Sequence, residues 1–188
     1  MSTLPSVSIP EMINQSKMVL TKPSPTTFEQ YERQGTVTNA AIYVGLASVV
    51  TGLLNFVPAL FSEASAFGGL ISGIISTLFG FFVFTGLVYY IGRNQGGTGT
   101  YEEVAYTFAL FWAPLAILAS VITFILMITI IGILLVPLVV IAAIVLNIYF
   151  AYMAVQSSMN LTDRSKILLT LVAAGVGTLL IQLFVGLF

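Results

Sequence analysis

Five long apolar stretches dominate the chain, and almost no charged residue interrupts them. Each holds about 23–25 residues, which at about 1.5 Å per residue is enough to cross a hydrocarbon core about 30 Å thick. Only 7% of the 188 residues are charged, too few to cover a soluble domain. The pattern therefore predicts an all-α polytopic transmembrane bundle of five helices. The predicted spans are about residues 39–61, 67–91, 104–127, 132–156 and 166–188.

The division between the third and fourth spans has the weakest signal. Residues 104–156 contain no charge, and a single helix of that length would reach about 80 Å, far beyond any bilayer. Length and Gly132 therefore predict a helical hairpin with a very short turn.

The basic residues occur only in the leader, in the segment after the second span and in the segment after the fourth span. With an odd number of spans they all fall on one side of the membrane, which the positive-inside rule makes cytoplasmic. Four spans would split them between the two sides. We therefore predict five spans with the N-terminus cytoplasmic and the C-terminus outside, in the plasma membrane if the source is prokaryotic. The six are Lys17, Lys22, Arg33, Arg93, Arg164 and Lys166.

The polar leader, residues 1–38, contains two helix-start patterns. Ser8 with Glu11, and Thr26 with Glu29, have the spacing of a capping box. A Pro-Ser-Pro run separates the two segments. We expect one or two short amphipathic helices lying on the cytoplasmic membrane surface, with flexible connectors as the alternative. The apolar face of the first helix is predicted at Ile9, Met12, Ile13, Ser16 and Leu20.

Composition excludes several kinds of chemistry. The chain has no Cys and no His, so it can form no disulfide, no thiolate or imidazole metal site and no Cys- or His-based catalytic centre. No span has a charged residue in its middle, which argues against a proton-coupled carrier. A net charge of −1 without a basic block indicates no nucleic-acid partner. No cofactor is expected.

Neutral polar residues remain inside the spans. Asn55, Asn147 and Gln182 are interpreted as interhelical hydrogen-bond partners, worth about 1 kcal/mol each, with contact to a solute as the alternative. Pro114 is expected to kink or end its helix. These four residues are the candidate intramembrane polar and packing positions.

Small residues recur at four-residue spacing in three spans. The clearest pairs are Ala41 with Gly45, Gly69 with Gly73, and Ala173 with Gly177. Such ridges let helix backbones approach closely, and packing within the chain is their expected use. Homo-oligomerisation is the alternative.

The segment from Arg93 to Thr100 contains three glycines and joins the second span to the third. We interpret it as a flexible turn ahead of a capping box at Thr100 and Glu103; an anion-binding nest of backbone N–H groups is the alternative. Together with aromatic residues of the leader and of the third span, it forms the candidate cytoplasmic interaction surface. Its residues are Phe28, Tyr31, Arg93, Gly96, Gly97 and Tyr101.

Three features resemble the Yip domain family of Ypt/Rab-interacting-protein-like membrane proteins. The run Pro-Ser-Pro-Thr-Thr-Phe at 23–28 resembles the segment before its first span, and Gly-Gly-Thr-Gly-Thr-Tyr at 96–101 resembles its turn into the third. Pro114 falls where the family has a mid-helix proline. Ala109 and Leu110 replace its usual Gly-Tyr, and the acidic Asp-Leu-Tyr-Gly-Pro motif of eukaryotic members is absent, so the chain resembles a prokaryotic branch.

The resemblance implies a membrane-organising or trafficking role and, in eukaryotes, contact with prenylated small GTPases. The sequence therefore favours a non-enzymatic scaffold or adaptor that touches membrane lipids or protein partners at its cytoplasmic face. The alternative is a small channel or carrier for neutral or weakly polar solutes. An intramembrane enzyme is the least favoured class, because no nucleophile and base stand at hydrogen-bonding spacing within a span.

Overall fold

The computed structural model describes residues 7–59 and 66–185, and within those residues it contains helices and turns but no strand. Five helices are long and apolar enough to cross a membrane, and two short ones precede them. The predicted all-α architecture is thereby confirmed. The helices are α1 (Ile9–Thr21), α2 (Pro25–Glu29), α3 (Val37–Ala59), α4 (Ala66–Asn94), α5 (Tyr101–Met127), α6 (Ile130–Ser158) and α7 (Arg164–Val185).

The predicted hairpin lies between α5 and α6. Residues 128 and 129 alone separate the two helices, and the Thr129 hydroxyl caps α6 by accepting a 2.9 Å hydrogen bond from the Gly132 N–H. A Cβ atom at Gly132 would overlap the carbonyl oxygen of Leu126. Glycine is therefore required for a turn this short. Pro114 and Pro137 lie inside α5 and α6, and neither ends its helix.

Helix α5 lies at the centre of the bundle and packs against α3, α4 and α6. Every residue from Val104 to Phe111 in its first half is buried. Helix α6 is peripheral, because only 6% of its most apolar stretch is buried, against 33% in α3. Large apolar side chains on the outside cost nothing in a bilayer, since lipid tails are as apolar as they are.

The small residues at four-residue spacing do not all contribute to helix packing. A Cβ atom at Gly52 would lie 2.8 Å from Leu70 of α4, and one at Gly177 would lie 2.9 Å from Leu87 of α4, so both glycines permit close helix packing. A Cβ atom at Gly45 or Gly73 would meet no other atom. Only some of the small residues therefore pack α3 and α7 against α4.

The two short helices pack on the end of the bundle, α1 against α5 and α2 against α6. The buried face of α1 consists of Met12, Gln15, Ser16 and Val19, whereas Ile13 is 53% exposed. This face is rotated from the predicted one. Contact with protein, rather than with a lipid surface, buries the apolar side of α1.

The helix starts in the leader differ in detail from the predicted capping boxes. Ser8 precedes α1, but its hydroxyl makes no capping hydrogen bond. Helix α2 begins one residue earlier than Thr26, because Pro25 occupies the first helical position, where its fixed φ is favourable. Ser24, not Thr26, caps this helix by accepting a 3.1 Å hydrogen bond from the Thr27 N–H.

Candidate functional site

One end of the bundle carries the leader, the α4–α5 loop (residues 95–100) and the α6–α7 loop (residues 159–163); we call it the capped end. Hydrogen bonds between the loops define it: the Thr98 N–H donates to the Met159 carbonyl at 3.0 Å, and Asn160 Nδ2 donates to Thr98 Oγ1 at 3.1 Å. All six Lys and Arg residues belong to the leader or to the turns of α4 and α7 that adjoin these loops. The charge pattern of the sequence therefore corresponds to a single physical surface.

A chain of hydrogen bonds, buried at its inner end, joins the leader to the central helix. The Tyr106 hydroxyl of α5 donates to Gln15 Oε1 of α1 at 2.6 Å. Gln15 Nε2 donates to Gln34 Oε1 at 2.9 Å, and Gln34 Nε2 donates to the Gln30 carbonyl at 2.6 Å. Tyr106 is fully buried and Gln15 is 4% exposed, so water cannot replace the bond between these two side chains without separating the leader from the bundle.

The start of α3 holds the leader from a second side. Ser16 Oγ and the Tyr43 hydroxyl are 3.0 Å apart, and Asn39 Nδ2 donates to the Val7 carbonyl at 3.0 Å. Gly35, which follows the turn after α2, lies against the Tyr106 ring. A Cβ atom at this position would overlap the ring. The leader is thus fixed by complementary shape as well as by hydrogen bonds.

Phe28 is part of the hydrophobic core. Its ring is fully buried and contacts Phe111 edge to face, with the centroids 6.2 Å apart; Phe111 in turn stacks on Phe150 of α6 at 5.8 Å. Such aromatic pairs add about 0.5–1.5 kcal/mol to the burial itself. Phe28 therefore holds α2 to the bundle, and its ring offers no surface to a partner while the leader is docked.

Glu32, which the sequence analysis did not single out, is a buried carboxylate at the centre of the capped end. It is 4% exposed and accepts a 2.6 Å hydrogen bond from Ser157 Oγ of α6. Arg33 forms a 3.1 Å ion pair with Glu103 of α5 and lies 3.8 Å from Glu32. Burial raises the pKa of Glu32, and the Ser157 hydrogen bond partly offsets this.

The signal for Glu32 in the sequence is weak. Its partner Ser157 is 125 residues away, and an acidic residue beside an arginine in a polar leader is typical of a solvated surface. The sequence does contain a signal for Gln15. It lies three residues after Met12 and four before Val19, so this polar residue is on the same face of α1 as those two apolar ones. That arrangement is typical of a helix that packs on protein.

The α4–α5 loop is a packed turn rather than a flexible one. Cβ atoms at Gly97 and Gly99 would lie against or overlap the backbone at Ser158 and Met159, so glycine lets this loop approach α6 closely. Thr100 and Glu103 form the predicted capping box. The N–H groups of residues 96, 97, 98 and 100 are all bonded within the protein, which leaves no nest of free N–H groups for an anion.

The other predicted surface residues differ in exposure and do not form one continuous surface. Arg93 and Gly96 are exposed, and the Arg93 guanidinium lies 6.0 Å from the centroid of the Tyr89 ring. Tyr101 is half-buried with its ring 5.9 Å from Tyr89, so these residues form one patch at the end of α4. Tyr31 is half-buried in the leader. Gly97 is buried and serves packing alone.

Two of the three candidate amides inside the spans form hydrogen bonds within their own helices. Asn55 Nδ2 donates to the Thr51 carbonyl at 2.9 Å, and Asn147 Nδ2 donates to the Ala143 carbonyl at 2.8 Å. Both bonds are within one helix, so the interpretation as interhelical hydrogen bonds is wrong for these two residues. Gln182 of α7 does contact another helix, because its amide nitrogen lies so close to Gly80 of α4 that a Cβ atom at that glycine would overlap it.

An open groove of about 350 Å³ runs between α5 and α6. Thr123 and Asn147 are its polar residues, and the remaining lining is apolar. Ile144 and Ile148 of its wall are more than half exposed, which places the groove on the lipid-facing side. Among the described residues no group of three or more Asp or Glu side chains is arranged to hold a metal ion.

Comparison with known families gives one match over nearly the whole chain. A family model described as the Yip1 domain matches residues 17–185. The match begins within α1 and ends at the last residue of α7. No curated protein and no solved structure matches the chain significantly.

Proposed function

The chain belongs to the Yip1 domain family, and from that premise we propose that it is a non-enzymatic scaffold or adaptor that organises partners at a membrane. Five apolar helices make it an integral, multi-pass membrane protein. Its working surface is the capped end, which presents the charged residues of the leader and of two loops. That end lies in the cytoplasm, because basic residues favour the cytoplasmic side of a membrane.

The observation that carries the proposal is the docked leader. Two buried hydrogen bonds, Tyr106 to Gln15 and Ser157 to Glu32, fasten the leader to the end of the bundle. A surface fixed in this way loses little conformational entropy when a partner binds. The predicted spans, in contrast, have no Asp, Glu, Lys or Arg away from their ends.

The test is recovery of partners with the full-length protein, carrying an affinity tag, from native membranes in mild detergent. The variant Glu29→Lys/Arg164→Glu exchanges two exposed charges of the capped end and leaves the net charge unchanged. Its matched control is Leu134→Ala, at a lipid-facing position of α6 that is 75% exposed.

Proteins that co-purify with the wild type and with the control, but are lost from the charge-exchanged variant, are the expected result. Identical recovery from all three would contradict a scaffold that works through the capped end. A native mass spectrum of the same samples also gives the copy number and so tests homo-oligomerisation.

A channel or carrier for neutral solutes is the alternative, and the groove beside Asn147 is the observation that favours it. Gln182, the other expected lining residue, packs on α4 and does not line that groove. Solute flux into proteoliposomes that falls in Asn147→Leu, with an unchanged unfolding temperature, would support transport. Absence of flux in the wild type favours the scaffold.

A further inference from the structure

Three basic residues lie at one edge of the capped end, on the adjoining ends of α4 and α7, two helices that pack against each other. Arg93 is in the last turn of α4, and Arg164 and Lys166 are in the first turn of α7. All three are exposed, and none forms an ion pair with a described residue. Arg33, in contrast, is paired with Glu103. This edge therefore carries positive charges that no ion pair with a described residue engages.

The two best-placed cations are held in position with donors left over. Lys166 Nζ donates to the Gln95 carbonyl at 2.9 Å, which uses one of its three N–H bonds. The Arg93 guanidinium lies over the Tyr89 ring and makes no hydrogen bond to a described residue, so its five N–H donors remain available. Gly96, exposed and at φ +95°, follows Arg93 by three residues and puts no side chain beside the Lys166 ammonium.

The acidic residue closest in sequence does not cancel this charge by a direct contact. Asp163 Oδ1 accepts a 2.8 Å hydrogen bond from the Ser165 N–H, and the Asp163 carbonyl accepts from the Ile167 N–H. The carboxylate thus serves the first turn of α7, where a negative charge complements the helix dipole. No salt bridge joins it to Arg164 or Lys166 within the described part of the chain.

The position of this edge relative to the bilayer indicates what kind of ligand it binds. Arg93 follows Tyr89 and Tyr90 by one helical turn, and Tyr90 is 65% exposed. Exposed tyrosine rings favour the headgroup level of a bilayer. The apolar stretches of α4 and α7 end at Asn94 and begin at Arg164. The cations therefore lie where lipid phosphates lie, and basic pockets between spanning helices are suited to anionic headgroups.

We infer that the α4–α7 edge binds the headgroup phosphate of an anionic phospholipid through Arg93 and Lys166. The planar guanidinium binds two phosphate oxygens, and the ammonium supplies a point charge from the other side. Arg164 adds long-range attraction. This inference needs only that the protein is embedded in a membrane and does not depend on the scaffold role.

The test is a lipid titration of the delipidated full-length protein in mild detergent, followed by native mass spectrometry. The probes are phosphatidylglycerol and phosphatidylcholine with identical acyl chains. Arg93→Gln/Lys166→Gln removes two charges at the edge, and Lys17→Gln/Lys22→Gln removes two exposed charges of the leader as a matched control. Arg93→Gln alone breaks no described hydrogen bond. It is included so that the test still gives a result if the double variant misfolds.

We expect the wild type to prefer phosphatidylglycerol. The preference should weaken about fivefold in Arg93→Gln and about thirtyfold in the edge double variant, at about 1 kcal/mol per basic residue. The leader variant should stay within about twofold of the wild type. Soluble glycerol phosphate at millimolar concentration should not displace the lipid.

Three results would each overturn the inference. The first is equal binding of both lipids by the wild type, and the second is an equal loss in the edge and leader variants, which would mean that net charge alone is sensed. The third is displacement of the lipid by glycerol phosphate, which would assign the edge to a soluble phosphate instead. An unchanged lipid preference in Arg93→Gln would contradict the inference that Arg93 binds the headgroup phosphate.

Discussion

The Tyr106 hydroxyl and the Gln15 side chain, 91 positions apart in the chain, are joined by a fully buried hydrogen bond of 2.6 Å. Tyr106 belongs to the central spanning helix and Gln15 to the leader helix α1. Through this contact a polar leader becomes part of the folded bundle. Whether the capped end exists as a fixed surface depends on bonds of this kind.

Tyr106→Phe should loosen the leader without unfolding the spans. The change leaves the buried Gln15 oxygen without its donor, which costs about 1–3 kcal/mol. The undocked fraction should then rise about 5- to 150-fold. Limited trypsin cleavage after Lys17 in the leader reports that fraction, since the Lys22–Pro23 bond resists trypsin. Tyr90→Phe, at an exposed ring, is the control; equal cleavage rates in the two variants would show that the hydrogen bond contributes nothing to docking.

Gly99→Ala should destabilise the protein by about 1–3 kcal/mol, because its Cβ atom would overlap the carbonyl of Ser158 and push the α4–α5 loop away from α6. The thermal unfolding midpoint in detergent measures the loss. Gly45→Ala, in the middle of α3 with no atom near the new methyl group, should instead stabilise by about 0.5–1 kcal/mol. A midpoint for Gly99→Ala at or above the wild-type value would contradict the close packing of the two loops.

Glu32 should make stability depend on pH in an unusual direction. Burial raises its pKa above the ordinary value of 4.5, so between pH 4.5 and the raised pKa the folded protein holds a proton that the unfolded chain does not. Stability from this group is complete below pH 4.5 and falls as pH rises through that window.

The variant Glu32→Gln should abolish this decline, and the unfolding midpoint measured from pH 4.5 to 7.5 is the readout. Glu29→Gln, at an exposed position three residues earlier, should keep it. If Glu32→Gln and the wild type show parallel pH profiles, the pKa of the Glu32 carboxyl is the same in the folded and unfolded states. Burial would then not raise it.

The spans could be predicted from the sequence because their signal is local. Hydropathy over about 20 residues is set by the membrane thickness alone, and the Thr100–Glu103 capping box depends on residues three apart. The turn at Gly132 followed from a length argument. These features need no knowledge of which helices are neighbours.

The packing of the leader could not be predicted in the same way, because it depends on partners distant in the chain. Phe28 reaches Phe111, and Glu32 reaches Ser157, only once α5 and α6 are assembled. A short amphipathic helix can lie on lipid or on protein with the same periodicity. Gln15 on its buried face distinguishes the two cases, since a buried amide needs a protein partner.

The amides of α3 and α6 illustrate a different difficulty. Asn55 and Asn147 can donate either to a neighbouring helix or to a carbonyl of their own helix four residues earlier, and the sequence is the same in both cases. The local bond is formed here, at the exposed and half-buried positions these residues occupy. Helix orientation, which the weak amphipathicity of the spans does not fix, decides the outcome.

The most direct test of the account is the sidedness of single cysteines, since the chain has none of its own. Asn94→Cys and Ser165→Cys lie at exposed positions of the capped end, and Ile128→Cys lies in the α5–α6 turn, at a residue that is 73% exposed. With a membrane-impermeant maleimide, Ile128→Cys should react in intact cells, and the other two only after permeabilisation. Reaction of Asn94→Cys and Ile128→Cys from the same side of the membrane would contradict a five-span bundle with one basic, cytoplasmic end.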